Sequence, residues 1–332
     1  MQYLIIIEIT VLSLISIIVL DKLGKILKFF DEPSEKKIHL SNITNIAGAG
    51  LIIIILNALL LFDYSSEIST SLNIMMIFII IGLYDDIKKL DPSLKLIFLL
   101  IPTIIYTQDV GLVFELGEYN GFLIKLGSFS FIFTVLSILF LINAFNYMDG
   151  MDGLLGTTSI ISLLFFLIFI PVIEISFIFN FIIFILVYLI FNLGIFKKLP
   201  KVFMGDSGSI GIGFLFCVLI IYYTQNLKII HPSVLIWPIA FVVYEFITVN
   251  IIRILNKKNP LERDLNFIFN KFLSKYSNTK TLIYCNLINL FFCVIGSMVY
   301  YFEQYTLSLI LFLIIFFIYF YLRFKQNKLV TS

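Results

Sequence analysis

Charged residues are scarce in this sequence, and their scarcity excludes an ordinary soluble domain. Asp, Glu, Lys and Arg make up 13% of the 332 residues, about half of the roughly 25% that soluble domains carry. Hydrophobic residues make up 60% of the chain, and the mean hydropathy is +1.06. So much apolar surface needs lipid as its solvent, and the composition therefore predicts an all-α integral membrane protein with many spans.

Cysteine and histidine are also scarce, which limits the chemistry that the chain can perform. Cys217, Cys285 and Cys293 lie in apolar runs without metal-ligand spacing. We interpret them as core residues and infer no disulfide. The two histidines are His39 and His231. No Lys or Arg precedes the first apolar run and no small-x-small site follows it, so we expect an uncleaved first helix with its N-terminus outside the cytosol.

Long apolar runs are abundant, and they predict about eleven membrane-spanning helices. A span needs about 20 residues, or roughly 17 at minimum, so the short third and fourth runs must recruit flanking residues. The sequence has no internal repeat and no low-complexity linker, and we interpret residues 1–332 as a single membrane domain. The runs lie near 2–20, 46–62, 71–84, 94–106, 128–143, 153–170, 171–191, 208–223, 232–252, 281–301 and 304–322.

The distribution of basic residues predicts the orientation of these helices. With the first N-terminus outside, the cytosolic segments hold 21 of the 23 Lys and Arg residues, as the positive-inside rule expects. The C-terminus is then cytosolic as well. Residues 109–128, on the outer side, have several glycines among β-forming residues, which indicates a small outer hairpin. The cytosolic segments are 21–45, 85–95, 143–153, 192–207, 253–280 and 323–332.

A pair of carboxylates marks the first of three polar clusters on the predicted cytosolic side. Asp85 and Asp86 follow the third apolar run, and Lys95 lies a little further on. Two adjacent carboxylates repel each other unless a cation lies nearby, and charge at a membrane edge is costly. A solvated helix end with lysine partners is the alternative interpretation.

The second cluster interrupts the chain between the fifth and sixth apolar runs. Gly150 and Gly153 argue against an unbroken helix here. A broken helix or a tight loop could turn all four polar side chains of this cluster toward one pocket. The alternative is a Gly-rich turn in which Asp152 caps the next helix. The four polar residues recur every three positions: Asn143, Asn146, Asp149 and Asp152.

The third cluster, residues 201–209, opens the eighth apolar run. Asp206 lies at this predicted helix start, where Ser207 and Ser209 could serve as simple caps. A helix N-terminus also suits a phosphate, and a carboxylate oxygen suits Mg²⁺. Carboxylates, lysines and helix starts on one membrane face together suggest Mg²⁺-dependent phosphoryl chemistry.

These clusters resemble the motifs of the polyprenyl-phosphate N-acetylhexosamine-1-phosphate transferases, the glycosyltransferase 4 family. The family's Asn-x-x-Asn-x-x-Asp-Gly-x-Asp-Gly-Leu segment is complete at 143–154, and its Phe-Met-Gly-Asp-x-Gly-Ser segment is complete at 203–209. The resemblance covers about residues 20–270. It implies that sugar 1-phosphate passes from a UDP-N-acetylhexosamine to a polyprenyl phosphate, such as undecaprenyl phosphate, and that UMP leaves.

The resemblance also implies roles for individual residues. Asp206 is the expected ligand of Mg²⁺, or of Mn²⁺ in its place. Asp149 is the expected further metal ligand, with the contact of Asp149 and Asp152 to the metal or only to the nucleotide left open. Asp85 and Asp86 are expected at the lipid phosphate, as a base or as partners of the metal site, so the expected catalytic residues are Asp85, Asp86 and Asp206. The expected substrate-binding residues are Asn143, Asn146, Asp149, Asp152, Lys95, Asn192 and Lys37.

The loop after the ninth run departs from the family pattern. The family has a Pro, an Asp and a His-x-His-His run there; Pro260 and Asp264 fit, but Phe267, Phe269 and Asn270 stand where His residues are expected. Either the site has been rebuilt or activity is reduced. The missing run favours the branch that starts envelope glycans over the phospho-N-acetylmuramoyl-pentapeptide transferase branch, which has a His-rich segment in this loop.

Two other functions remain open at this point. One is a transporter for an anionic metabolite, although a transporter should have polar groups near the midplane and often has repeated halves. The other is a family member that has lost catalysis. The expected location is the cell (inner or plasma) membrane, with the site facing the cytosol. The expected partners are the bilayer, polyprenyl phosphate and a UDP-N-acetylhexosamine, without nucleic acid; relatives suggest a homodimer.

Overall fold

The computed structural model of the chain describes residues 2–31, 42–170, 175–259 and 266–331. These residues form thirteen α-helices and two short antiparallel strand pairs, which confirms the all-α membrane class. The helices are α1 (Gln2–Ile26), α2 (Gly50–Leu61), α3 (Ser66–Lys88), α4 (Pro92–Asp109), α5 (Ser130–Met148), α6 (Leu154–Phe169), α7 (Ile175–Asn192), α8 (Gly205–Ile221), α9 (Pro232–Leu235), α10 (Ala240–Leu255), α11 (Ile268–Leu273), α12 (Asn278–Phe302) and α13 (Tyr305–Thr331).

Each of the eleven apolar runs corresponds to a helix in the described part of the chain. The two short runs are extended as expected, because Ser65 caps the start of α3 and Asp91 caps the start of α4. The ninth run is not a continuous helix: it begins as α9 and continues as α10 after a tight turn that contains Pro238, since proline lacks the backbone donor that a helix needs. Within the described residues, seven helical stretches are long and apolar enough to cross a membrane.

Helix α8 lies at the centre of the bundle and packs between α3 and α5. In the apolar stretch that includes α8, 94% of the residues are buried by protein, whereas in that of α13 the share is 11%. Glycines allow this close packing, because a Cβ on Gly211 would lie 2.9 Å from Ile79 Cγ1 and one on Gly213 would lie 2.9 Å from Ile142 Cα. Small residues serve the same purpose at many helix interfaces in membranes.

The hairpin expected within 109–128 is present and is fastened to α8. Strand β3 (Glu115–Tyr119) pairs with β4 (Phe122–Lys125) through a turn in which Asn120 and Gly121 have positive φ; β1 (Phe30–Asp31) and β2 (Ile43–Thr44) form the other pair. Gln225, just beyond α8, accepts a hydrogen bond from Phe114 N at 2.9 Å and donates one to the Glu115 carbonyl at 3.0 Å. The three cysteines are buried and free, as expected.

Candidate active site

The carboxylate of Asp86, at the end of α3, caps the N-terminus of α8. It accepts hydrogen bonds from the backbone N–H groups of Asp206 at 2.9 Å and Ser207 at 3.0 Å, and from Asn45 Nδ2 at 2.9 Å. The first N–H groups of a helix have no partner within the helix, so a carboxylate from a neighbouring helix stabilises them. This arrangement favours a positioning role for Asp86 over the role of base that the resemblance implies.

Glycines bring α3 and the preceding loops close to this helix start. A Cβ on Gly82 would lie 2.6 Å from Ser207 N, and one on Gly48 would lie 2.1 Å from Gly208 N. Gly205 has φ +73°, and a Cβ there would lie 2.5 Å from Asp86 Oδ2. The Phe-Met-Gly-Asp segment therefore needs its glycine because the chain turns in the left-handed region beside a carboxylate.

Lys95, in the first turn of α4, joins the first and third polar clusters. Its Nζ lies 2.9 Å from Asp85 Oδ2 and also forms an ion pair with Asp206 Oδ2. The side chains of Lys95, Asp85 and Asp206 are 13%, 11% and 22% exposed. We call these three residues the charged cluster. One ammonium between two carboxylates leaves a net negative charge, which favours the approach of a cation.

The second polar cluster is divided between the end of α5 and a turn. Helix α5 ends at Met148 and α6 begins at Leu154, after Gly153 with φ 78°, so the expected break in the helix is confirmed. Asn143, on the last turns of α5, donates to the Leu139 carbonyl. Asn146 is buried, and its Nδ2 donates to Ser209 Oγ at 2.9 Å, which connects this cluster to α8.

The two carboxylates of the second cluster lie apart from its two amides. Asp149 caps the C-terminus of α5, and Asp152 forms an ion pair with Lys201, whose side chain is 37% exposed. Neither carboxylate lines the cavity described below, whereas Asn143 and Asn146 do. Of the four residues, the two amides line this cavity, and the common pocket for all four side chains stays a prediction.

Asn192 is buried and bonds to backbone on both sides. Its Oδ1 accepts from Gly153 N at 2.6 Å, its Nδ2 donates to the Val202 carbonyl at 3.0 Å, and the side chain is 2% exposed. These contacts tie the turn before α6 to the segment that leads into α8. They favour a structural role over the substrate contact that the resemblance implies. Lys37, also predicted to bind substrate, lies outside the described residues.

Asn45 is a residue of the site that the sequence did not indicate. It belongs to a segment that runs beside the chain leading into α8, where Phe203 N donates to the Thr44 carbonyl at 2.9 Å and Gly48 N donates to the Met204 carbonyl at 2.9 Å. This pairing brings the Asn45 side chain to Asp86. No local pattern could have shown it, because the contact joins residues 41 positions apart.

A cavity of about 1280 Å³ extends from the charged cluster into the bundle. Asn143, Asn146 and Tyr147 line its charged end. Mainly apolar side chains of α4, α5, α8 and α10 line the rest, which reaches Glu115 of the hairpin and Gln225 at the far end. We call this apolar part of the cavity the shaft. A cavity with one charged end and an apolar shaft suits an amphiphilic anion rather than a fully polar molecule.

The aromatic residues at the expected histidine positions are packed beside this cavity. Phe267 is 3% exposed and stacks on Tyr147, with the ring centres 5.4 Å apart. The Arg253 guanidinium carbon lies 5.3 Å from the centre of the Tyr147 ring and 5.5 Å from that of Phe267. Phe269 is 2% exposed and lies against Gly150. Pro260 and Asp264 lie outside the described residues.

The donor atoms of the charged cluster suit a magnesium ion held in part by substrate. Within the described segments, no group of three or more His, Cys, Asp or Glu side chains could hold a metal ion by protein ligands alone. Mg²⁺, however, is often bound by one or two carboxylates together with substrate phosphates. Asp206 and Asp85 both offer carboxylate oxygens beside the Lys95 ammonium, and oxygens of this kind suit Mg²⁺. This donor set fits that mode of binding.

The fold and the site define a polytopic helical membrane protein with a charged cluster at one end of an apolar cavity. Residues 68–224 match the model of Glycosyl transferase family 4. Over this part of the chain the family expected from the motifs is confirmed. The match is narrower than the expected 20–270. It does not include residues 266–270, which we call the aromatic loop.

A curated relative is similar over a shorter stretch. The undecaprenyl-phosphate alpha-N-acetylglucosaminyl 1-phosphate transferase of Yersinia pestis is 34% identical over 82 residues, which are 24% of this chain and 22% of that protein. The similarity thus spans about a fifth of the relative's length.

Proposed function

We propose that this protein transfers N-acetylhexosamine 1-phosphate from a UDP-sugar to a polyprenyl phosphate such as undecaprenyl phosphate. UMP leaves, and the polyprenyl diphosphate sugar starts an envelope glycan. The observation that carries the proposal is the cavity, whose charged end suits the lipid phosphate and whose apolar shaft suits the polyprenyl chain. The name of the Yersinia pestis relative supports undecaprenyl phosphate as the acceptor and an N-acetylhexosamine 1-phosphate as the transferred group.

The reaction follows from bringing two anions together at the charged cluster. An oxygen of the lipid phosphate attacks the sugar-bearing phosphorus, the bond from that phosphorus to the bridging oxygen breaks, and its electron pair remains on UMP. The two anions repel each other, so positioning and charge neutralisation supply most of the catalysis. The Lys95 ammonium offsets this repulsion, and Asp85 holds it in place through the 2.9 Å ion pair.

In this proposal Asp206 would hold Mg²⁺ together with substrate phosphate, and Asp85 would be the neighbouring carboxylate. The ion, when bound, neutralises charge on the diphosphate. Asp149 is the C-cap residue of α5 and does not line the cavity, and its role as a metal ligand stays a prediction. Asn143 lines the charged end and is the amide best placed to contact the nucleotide sugar.

The orientation belongs to the same proposal. The segments that meet at the charged cluster are those that the charge count assigns to the cytosol, so the UDP-sugar enters from there and the lipid from the bilayer. A transporter is less well supported, since the shaft of the cavity is mainly apolar whereas a transport path is polar near the midplane.

The test is UMP release by purified protein with undecaprenyl phosphate, a panel of UDP-N-acetylhexosamines, and Mg²⁺ or a chelator. Release that needs both the lipid and the metal is expected with at least one donor. Folded protein that releases no UMP across the panel contradicts the proposal. UMP binding without turnover would then indicate a member that has lost catalysis, and uptake of a UDP-sugar into proteoliposomes would indicate a transporter.

A variant that fills the shaft tests the assignment of the cavity. Leu139 lines it, whereas Leu307 on α13 is exposed on the outside of the bundle. Leu139→Trp should raise the KM for undecaprenyl phosphate and leave the KM for the UDP-sugar unchanged, because the bulky ring excludes the chain. Leu307→Trp is the matched control and should change neither KM. Equal effects of the two variants on the KM for undecaprenyl phosphate would show that the lipid does not bind in this cavity.

A further inference from the structure

An ion pair is buried between α10 and α13, apart from the charged cluster. Arg323 Nη2 lies 2.8 Å from Glu245 Oε1, and Arg323 Nε donates to Glu245 Oε2 at 3.1 Å. Glu245 is 0% exposed and Arg323 is 3% exposed, and Tyr319 Oη also donates to Glu245 Oε2 at 2.5 Å. A buried ion pair contributes little net stability compared with apolar side chains, so its presence here calls for another explanation.

Both members of the pair bind the backbone of the aromatic loop. Glu245 Oε1 accepts from Ile268 N at 2.5 Å, and Arg323 Nη2 donates to the Asn266 carbonyl at 2.5 Å. The residue between these two anchored positions is Phe267. Its backbone is therefore held on both sides by charged hydrogen bonds, which are about twice as strong as neutral ones.

Phe267 transmits this anchoring to the candidate active site. Its ring stacks on Tyr147, which lines the charged end of the cavity and directly follows Asn146. Arg253 lies against both rings. A continuous set of contacts therefore runs from α13 through Glu245 and Phe267 to the end of α5.

We propose that Arg323 and Glu245 are positioning residues of the active site, and that they act by holding Phe267 against Tyr147. The C-terminal helix thereby keeps the Asn143 and Asn146 end of α5 in place. The kinetic part of this inference rests on the proposed function. Loss of the pair lets the loop withdraw, so the wall that contacts the nucleotide sugar moves while the lipid shaft remains.

Five variants of the purified full-length protein separate positioning from folding, and one of them is the conservative Arg323→Lys. Arg323→Gln removes the cation but leaves a buried carboxylate, whereas the double variant Glu245→Gln with Arg323→Gln removes both charges. Phe267→Leu keeps an apolar side chain but removes the stacked ring. Lys325→Gln is the matched control, since Lys325 is an exposed cation on the same helix.

The first readout needs no ligand and no activity. Hydrogen–deuterium exchange is measured by mass spectrometry on peptides that cover 143–149 and 266–273. The double variant should accelerate exchange in both peptides and leave the hairpin peptide 115–125 unchanged, and Phe267→Leu should accelerate exchange in 143–149. Exchange that rises equally throughout the chain, or that rises in 266–273 without any change in 143–149, overturns the inference.

The second readout compares the KM for the UDP-sugar with the KM for the lipid. The double variant and Phe267→Leu should raise the KM for the UDP-sugar about tenfold, as mutations along a contact network do, with the KM for the lipid unchanged. Arg323→Lys should recover part of the loss, and Lys325→Gln should behave as wild type. Unchanged KM values in a variant with altered exchange contradict the inference. If the wild type releases no UMP, the proposed function fails, while the exchange experiment still decides the positioning role.

Discussion

Replacing Asp86 by Asn tests whether this carboxylate positions α8 or acts as a base. Both of its oxygens accept hydrogen bonds: Oδ1 from Asn45 and Asp206, and Oδ2 from Ser207. An Asn side chain keeps only one acceptor oxygen. Whichever oxygen it replaces, the new amide N–H₂ group faces another N–H donor, so at least one bond is lost.

The loss can be estimated from these contacts. A hydrogen bond to a charged group contributes about 1.5–3 kcal/mol, and an anion at a helix N-terminus adds about 0.3–1 kcal/mol. Asp86→Asn should therefore lower the free energy of unfolding by roughly 2–4 kcal/mol. Because Asp206 is placed by the same contacts, UMP release should also fall by roughly 10- to 100-fold.

The assay is thermal unfolding in detergent, together with the pH dependence of UMP release. Asp86→Asn should lower the unfolding temperature by roughly 5 °C and keep the shape of the pH–rate profile. Asp91→Asn is the matched control, because Asp91 is an exposed cap of α4 whose side chain accepts a hydrogen bond from Ser93 N. Asn caps as well as Asp at such a position, so no change is expected there.

An opposite pattern would refute this reasoning. If Asp86→Asn unfolds at the wild-type temperature and its pH–rate profile loses the acidic limb, Asp86 transfers a proton and is not a cap. A drop in unfolding temperature of the same size in Asp91→Asn would show that the assay does not distinguish the two environments.

Three further variants test the remaining assignments. Asp206→Asn should raise the activation free energy of UMP release by ~2–4 kcal/mol, by analogy with losing one electrostatic stabiliser. Wild-type turnover in this variant would contradict the assignment of Asp206 as a metal ligand. Gly82→Ala should lower the free energy of unfolding by about 1–3 kcal/mol, because its Cβ would lie 2.6 Å from Ser207 N; an unchanged unfolding temperature would contradict this close approach. Asn192→Ala should lower the free energy of unfolding by about 1–3 kcal/mol for each backbone partner left unpaired. A raised KM at unchanged stability would instead indicate that Asn192 binds the substrate.

The class of fold and most of its elements follow from the sequence because they depend on local composition. Apolar runs of sufficient length can satisfy their backbone only as helices in lipid. In the described residues ten of the eleven runs each correspond to one helix, and the ninth corresponds to α9 and α10. Glycines among β-forming residues predicted the hairpin. Its turn forms at Asn120 and Gly121, a pair that adopts the positive φ values of a tight two-residue turn. The break after α5 follows from Gly150 and Gly153.

The chemical types at the site were also readable in the sequence, since they lie in compact motifs. Asp85, Lys95 and Asp206 meet in the charged cluster, and Asn143 and Asn146 line the same cavity. Their roles in catalysis and binding stay predictions.

Only the tertiary structure decided which polar groups remain directed at the cavity and which are used to build it. Asp86 and Asn192 belong to the same motifs as the cavity residues, but their side chains bond to backbone of distant segments. In the sequence, Phe267 stands at a position where the family has a histidine. In the fold, its ring is a buried core residue that stacks on Tyr147. The physical reason is that a polar atom's role depends on its hydrogen-bond partners, which the packing of helices far apart in the chain determines.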